Sequence, residues 1–195
     1  MASTVANSAI DIASRALVLI GAEPITSFDS SSTEALVATN MYEDTVRAML
    51  STARWRFATE QAVLNQLSDV PTGRFDIAHQ LPANLLVLHG VTINDRLIEF
   101  TVYGDKVFSD STSSDTLVAD FTFRADEVDF PSYFSLALQY SLASIFATSI
   151  ARDDGLMQIM ETKANQLMAK ARNIDAQPQT TRKLVTSRFI SNRRS

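Results

Sequence analysis

The sequence predicts a mainly helical α+β fold, in which an antiparallel β-rich domain is inserted into a four-helix bundle. Apolar residues recur at three- and four-residue steps near both ends of the 195-residue chain, and they alternate with polar residues in the middle. The last stretch is basic and has little periodic apolar pattern, so it predicts an extended C-terminal tail. We therefore expect the helical bundle over residues 1–58 and 130–176, the β-rich domain over 59–129, and the tail over 177–195.

The composition fits a globular protein, because 46% of the residues are hydrophobic and 20% are charged. The chain has no cysteine, which rules out disulfides and thiol chemistry and favours synthesis in the cytoplasm. Residues 1–20 lack the basic lead and continuous apolar core of a signal peptide, so no export signal is expected.

The first helix is predicted from Val5 to Ile20, where the apolar spacing gives one buried face. Gly21 should end it, with Pro24 preventing its continuation. Ser31 and Glu34 have the spacing of a capping box, and they predict the start of a second helix that runs to about Arg54. The residues expected to face inward in the second helix are Ala35, Ala38, Tyr42, Val46, Met49 and Ala53. The residues expected to remain largely solvated are Glu43, Asp44 and Arg47.

Trp55 is the only tryptophan, and it lies where the helical pattern stops and the alternating pattern begins. Aromatic rings bury large areas, and the stems of flanking arginines can cover them. Trp55 and Phe57 are therefore predicted to be a packing anchor between the helical and β-rich parts.

Short apolar and alternating runs predict the strands of the middle domain. Leu85 to Leu88 fits a buried strand, and Leu97 to Tyr103 fits another, which should turn at Gly104-Asp105. Residues 109–115 are rich in serine and predict a mobile loop. Leu117, Ala119, Phe121 and Phe123 then form the apolar face of a further strand.

Nine acidic residues and three basic residues lie between Asp95 and Asp129. None of the carboxylates has the dense spacing of a calcium loop, so we expect no metal site and no cofactor. Solubility, or repulsion of nucleic-acid phosphates, explains the charge better.

A third helix should open at Asp129-Phe130-Pro131, with Asp129 as its cap. Residues 132–151 carry no charge, which raises the question of a membrane span. Seven hydroxyl and amide side chains argue against a span and favour a central helix that also contacts a neighbouring subunit. The residues predicted for this subunit interface are Ser135, Ala137, Ser141, Ser144 and Thr148.

A short connection at residues 152–155 should fold the fourth helix back antiparallel to the third. Its expected inner face consists of Leu156, Ile159, Met160, Ala164, Leu167, Met168 and Ala171.

Few residues suggest catalysis. The only histidines are His79 and His89, and no nucleophile elbow accompanies them. Five scattered glycines make neither a phosphate loop nor a dinucleotide fingerprint. A pair of carboxylates distant in sequence remains possible for glycoside cleavage, but we expect a protein that is not an enzyme and has no catalytic residues.

The tail combines basic groups with two apolar pairs, and this pattern suits a segment that orders on a partner. The residues predicted to bind the partner are Arg182, Lys183, Leu184, Val185, Arg188, Phe189, Ile190, Arg193 and Arg194. Because the tail holds five of the 17 basic residues and no acidic one, the remaining chain is more acidic than the net charge of −5 indicates.

Several short motifs taken together resemble the tail tubular protein A family, the head–tail adaptors of short-tailed bacteriophages. The resemblance covers about residues 5–172. The motifs that carry it are Ala16-Leu17-Val18-Leu19-Ile20-Gly21, Pro24-Ile25, Ser27, Asp29, Glu34-Ala35, Tyr42, Leu50, Trp55-Arg56-Phe57-Ala58, Arg74-Phe75, Leu81-Pro82 and Phe130-Pro131.

The resemblance implies a virion protein at the head–tail interface, assembled in the host cytoplasm. It implies a ring of twelve subunits below the portal protein, which extends the DNA channel and docks the next tail component, a nozzle or a tail tube protein. DNA would pass through without specific binding. Two other functions stay open at this point: a tail-associated glycan-degrading enzyme, and a nucleic-acid-binding module that uses the basic tail.

Overall fold

The structure is a computed structural model that describes residue 6 and residues 8–68 and 74–177. The described residues form an α+β fold with four α-helices: α1 (Ala9–Leu19), α2 (Thr33–Ser51), α3 (Ser132–Phe146) and α4 (Asp154–Ala176). A π-helical turn, Ala147–Ala151, continues α3. The eight strands are β1 (Thr59–Val63), β2 (Asn65–Gln66), β3 (Ile77–Gln80), β4 (Leu85–Ile93), β5 (Arg96–Leu97), β6 (Thr101–Tyr103), β7 (Lys106–Ser109) and β8 (Leu117–Phe123).

The start of α1 differs from the prediction. Val5 lies outside the described residues, and the helix begins only after Ser8, whose hydroxyl accepts a hydrogen bond from the Asp11 N–H at 3.1 Å. The predicted end is confirmed, because Gly21 has a φ of +78°. The N–H groups of Ala22 and Gly21 bond to the carbonyls of Leu17 and Val18 at 3.0 and 3.1 Å, which is a Schellman ending.

Helix α2 begins one residue later than the predicted capping box. The cap is Ser32, not Ser31, because the Ser32 hydroxyl accepts from the Ala35 N–H at 3.1 Å. The helix ends at Ser51 rather than Arg54, where the Thr52 hydroxyl donates to the Met49 carbonyl at 2.7 Å. The predicted inward residues within the helix are all buried, and Leu50 joins them.

The predicted capping of α3 by Asp129 is wrong. Asp129 closes a 3-10 turn, Glu127–Asp129, and α3 starts after Pro131, whose carbonyl accepts from Phe134 and Ser135 at 2.9 and 3.0 Å. Helix α4 is capped by the Asp153 carboxylate, which accepts from the Leu156 N–H at 2.9 Å.

The described strands form two antiparallel sheets. The first sheet has the order β1-β8-β4-β5, and the second has the order β2-β3-β7-β6. The predicted strand from Leu97 to Tyr103 is divided, because β5 pairs with β4 in the first sheet and β6 pairs with β7 in the second. Residues 98–100 thus carry the chain from one sheet to the other. The predicted hairpin turn at Gly104-Asp105 is confirmed, with a φ of +62° at Gly104.

The serine-rich segment begins later than predicted. Ser109 belongs to β7 and is buried, and its hydroxyl lies 2.8 Å from that of Ser111, which is also buried. The Thr112 N–H and hydroxyl both bond to the Asp115 carboxylate at 2.8 Å. These local bonds shape the connection between β7 and β8.

The buried apolar residues form two clusters. One fills the helical part and includes Ile12, Leu17, Leu50, Trp55 and Phe146. The other lies between the two sheets and includes Leu64, Val91, Val107, Leu117 and Phe121. Phe123 packs against both clusters, so the first sheet lies between the helices and the second sheet.

Helix α3 is the centre of the helical part. Helices α1 and α2 contact α3 and each other, and α4 packs along α3. By length and composition, residues 132–151 are the one described segment apolar enough to cross a membrane, but half of that segment is buried by the rest of the chain. Its apolar character is that of a central core helix.

Candidate assembly surfaces

The junction between the helices and the first sheet is built around Trp55. Its side chain has no exposed surface, and its indole N–H donates to the Met49 carbonyl at 3.0 Å. The Phe134 ring packs edge-on against two rings, and its centre lies 5.1 Å from that of Trp55 and 5.0 Å from that of Phe57. Phe130 extends the cluster, 4.9 Å from Phe134. This aromatic cluster joins the end of α2 to the start of α3.

A buried carboxylate fixes the end of α4 to the same junction. Asp175 is 6% exposed, and its two oxygens accept from the Tyr133 hydroxyl at 2.7 Å and from the Arg56 N–H at 3.0 Å. Burial, together with the hydrogen bond to Asp175, raises the pKa of Tyr133 to about 12. The last described turn of α4 therefore lies beside the first turn of α3, which confirms that the two helices run antiparallel.

Arg124 ties the β-rich part to α2. Its guanidinium bonds to Glu43 at 2.9 Å and to Glu127 at 2.6 Å, and it lies 5.7 Å from the Phe130 ring centre. The Tyr42 hydroxyl donates to Glu127 at 3.2 Å. Glu43, which was predicted to be largely solvated, is thus half-buried in a charged network, and its partner Arg124 lies 81 positions away in the sequence.

The charges of this network stabilise one another. Burial alone would raise the pKa of the Glu43 carboxyl, but hydrogen bonds from Arg124 and Arg47 outweigh it and hold the pKa below its ordinary value of 4.5. Burial alone would likewise lower the pKa of Arg124, yet its hydrogen bonds to Glu43 and Glu127 raise it. Glu43 and Arg124 are therefore both charged at neutral pH.

The two histidines have structural surroundings. His89 lies 2.8 Å from the Thr122 hydroxyl, and Thr122 is fully buried, so its oxygen is out of reach of a substrate. Burial lowers the pKa of His89, with help from the nearby Arg54. His79 is 2% exposed, burial lowers its pKa, and its Nδ1 has no hydrogen-bond partner. The described residues contain no cluster suited to a metal ion.

The predicted subunit interface on α3 is divided between buried and open positions. Ser135 and Ala137 are buried inside the chain, Ser141 and Ser144 are half-buried, and Thr148 is exposed. Ser135 and Ala137 are covered by the chain's own helices, so only the other three positions remain open to a neighbour.

Ile159 corrects the prediction for α4. It was expected on the inner face, but it is 60% exposed and borders an open groove of about 590 Å³ on the outer side of the helix. The remaining members of the predicted inner face are buried or half-buried. The nine residues predicted for partner binding in the tail lie outside the described residues.

Sequence reasoning missed Arg124 and Asp175. Each binds groups that are far away in sequence, so periodicity gives no sign of them. The one available signal was a conflict with local preference: Asp175 lies near the C-terminal end of a helix, where the macrodipole disfavours an acid.

Comparison with known proteins gives one assignment. A family model described as tail tubular protein matches residues 9–184, which is most of the chain. No curated protein matches the chain. The matched range includes all four helices, both sheets, the Trp55 junction and the Arg124 network. The chain therefore belongs to the tail tubular protein family and is a structural component of the bacteriophage tail.

Proposed function

We propose that this chain is a head–tail adaptor, which assembles as a ring of twelve subunits between the portal protein and the next tail component. The family match carries the proposal, since it covers residues 9–184. The location between head and tail and the assembly as a ring are inferred from the resemblance of the short motifs to those of head–tail adaptors. DNA would pass through the ring without specific contacts.

The charge distribution supports this role. Acidic side chains outnumber basic ones among the described residues, and residues 95–129 carry nine acids against three bases. An acidic surface repels phosphates, so it would favour the sliding of DNA over its binding. The basic residues of the tail are concentrated in a separate segment that would meet a protein partner.

The proposal assigns a separate role to each of three parts of the chain. Residues 1–58 and 130–176 form a four-helix bundle, residues 59–129 form an inserted β-rich domain, and residues 177–195 form an extended tail that attaches to the portal. Arg182, Arg188 and the other basic groups would speed the encounter, and Phe189 with Ile190 would hold the complex.

Removal of residues 177–195 tests the tail assignment. The truncated protein should keep its melting temperature, because every described core residue is retained, but it should lose most of its attachment to purified portal in a sedimentation assay. Replacement of Phe189 and Ile190 by serine should chiefly speed release from the portal. Replacement of the five basic residues of the tail by neutral ones should slow attachment to the portal and lower the salt sensitivity of the attachment rate. Equal attachment of the truncated and intact proteins would contradict the assignment.

A further inference from the structure

The first sheet has two free edges, which are formed by different strands. Its order β1-β8-β4-β5 puts β1 at one edge and β5 at the other, and no described strand pairs with the outer side of either. With five residues, β1 is the longest of the edge strands that the structure describes, and it contains no lysine, proline or bulge. Proteins ordinarily use those features to keep an edge strand from pairing with another chain. The β1 edge is therefore open to a further strand.

An apolar row crosses the face of this sheet that points away from the second sheet. In the strand register, Val63 of β1 pairs with Val118 of β8, and Val118 pairs with Thr92 of β4. Thr92 in turn pairs with Leu97 of β5. The two ends of the row are the most open, because Val63 is 63% exposed and Leu97 is 77% exposed. A row that ends in exposed apolar side chains at both free edges is unusual for a solvated sheet face.

The backbone groups at both ends of the row point out of the sheet. The Leu64 N–H donates to the Leu117 carbonyl at 2.8 Å, and successive residues of a strand point their backbone groups to opposite sides, so those of Val63 point to the free edge. The Ile98 N–H donates to the Val91 carbonyl at 3.1 Å, so those of Leu97 also point to a free edge. Each end of the row thus offers one donor and one acceptor, as the hydrogen-bonded pair of an antiparallel ladder requires.

The direction of the strands favours a second copy of this chain as the occupant. Every pair in the first sheet is antiparallel, so with four strands β1 and β5 run in opposite directions. A second copy placed beside the first in the same orientation therefore presents its β5 antiparallel to β1, and the ladder continues across the contact.

The register of the two ends suits a closed assembly. Because Val63 and Leu97 end the same row, their pairing adds no shift along the strands from one copy to the next. The contact joins two different edges, so it is heterologous, and it closes into a ring when the rotation permits. Pairing between residues of different rows would add a step at each copy and build a helical filament instead.

We propose that β1 of one copy pairs with β5 of the next copy, with Val63 opposite Leu97, so that the first sheets of neighbouring copies form one continuous sheet. The inference rests on the proposed ring and names the contact that builds it. The added ladder is short, so the copies should associate where the portal aligns them. A twofold pairing of β1 with itself would leave Leu97 uncovered.

Cysteine cross-linking on the portal tests the contact, since the natural chain has no cysteine. Opposite residues of such a pair have Cα atoms about 5.5 Å apart, which suits a disulfide. Within one chain the two positions are three strand spacings apart, or about 14 Å, which is too far. We expect Val63→Cys protein mixed with Leu97→Cys protein to give disulfide-linked dimers under mild oxidation, whereas either variant alone stays monomeric. A chain with both cysteines should give a ladder of oligomers.

The matched control replaces Leu97→Cys with Val102→Cys, which is also an exposed apolar position on an edge strand, but in the second sheet. This variant should give no dimers with Val63→Cys protein. Dimers from Val63→Cys protein alone, or equal yields with the two partners, would overturn the inference.

Charged residues at the same two positions provide the second arm. Both side chains are exposed, so the variants should fold, and Val63→Lys should abolish ring formation on the portal. Adding Leu97→Glu to the same chain should restore rings, because opposite charges then face each other across the contact. Adding Leu97→Lys instead should not restore them. Equal ring yields from these two double variants would overturn the inference.

The outcome separates this inference from the proposed function. Rings on the portal without the cross-link between positions 63 and 97 would refute the contact and leave the adaptor role standing. Absence of rings, with attachment to the portal also absent, would refute both.

Discussion

At the scale of single residues, Trp55 holds the junction between the helices and the first sheet. Replacement of Trp55 by alanine should cost about 3–5 kcal/mol, the usual range for emptying a buried aromatic site. Denaturant unfolding measures the loss, and Trp55→Phe should cost much less because it keeps the contact with Phe134. Native fluorescence typical of a fully hydrated tryptophan would contradict this account.

Arg124 and Arg47 both bond to Glu43, but their surroundings differ. The Arg124 side chain is 16% exposed, and that of Arg47 is 54% exposed. Arg124→Gln should cost about 3 kcal/mol, because the largely buried Glu127 carboxyl then loses its charged partner. Arg47→Gln should cost about 0.5 kcal/mol or less, as expected for an exposed pair. A loss of stability in Arg124→Gln no larger than the loss in Arg47→Gln would contradict this prediction.

The same network predicts a loss of stability in acid. The pKa of Glu43 is lower in the folded state than its ordinary value of 4.5, so its stabilising effect is complete above pH 4.5 and disappears as the pH falls through the folded value. Unfolding curves between pH 6 and pH 3 should show this loss in the natural protein. Arg124→Gln should reduce the loss.

His79 and His89 add a dependence at higher pH. Their folded pKa values lie below the ordinary 6.5, so the unfolded chain takes up protons first as the pH falls, and stability decreases from about pH 6.5 downward. His79→Phe should reduce this slope, and a second change, His89→Gln, should remove most of the remainder. An unchanged slope in the double variant would assign the effect to other groups.

At the scale of elements, two glycines have different structural roles. Gly21 has a φ of +78°, so Gly21→Ala should cost about 1–2 kcal/mol although nothing crowds the position. Gly90 lies at an irregularity of β4, and a Cβ there would approach the exposed end of Leu97 at 2.9 Å. Because Leu97 is free to turn, Gly90→Ala should cost about 1 kcal/mol or less. Thermal unfolding of both variants measures the difference.

The elements also show how far the sequence predicts the fold. Apolar periodicity located all four helices and the strands at Leu85 and Leu117, because burial of one face imposes it. It did not distinguish Ser31 from Ser32 as a cap, since adjacent serines offer the same hydroxyl. It also did not show that residues 98–100 change sheets, because alternation looks the same whichever strand is the partner.

The candidate site was less predictable than the fold. The importance of Trp55 was visible in the sequence, because a lone tryptophan at a change of periodicity has few other roles. The pairing of Arg124 with Glu43 was not visible, because folding brings together residues 81 positions apart. Exposure of Ile159 was hidden for a similar reason: an isoleucine at helical spacing suits a core and an interface equally.

At the scale of the whole molecule, the fold explains how one small chain could serve several neighbours. The helical part has its own core around Trp55, and the sheets have a second core, so the protein does not need a partner to bury its apolar residues. Exposed apolar side chains remain on the outer sides of α2 and α4. We therefore expect a monomer at low concentration that becomes a closed ring on its portal.

Electron microscopy of the purified protein mixed with purified portal tests this claim most directly. The adaptor account predicts closed rings of twelve subunits stacked on the portal along one axis, and mostly monomers when the portal is left out. A stable twofold dimer, both free and in virions, or portals that stay bare at high concentrations of the protein, would contradict it.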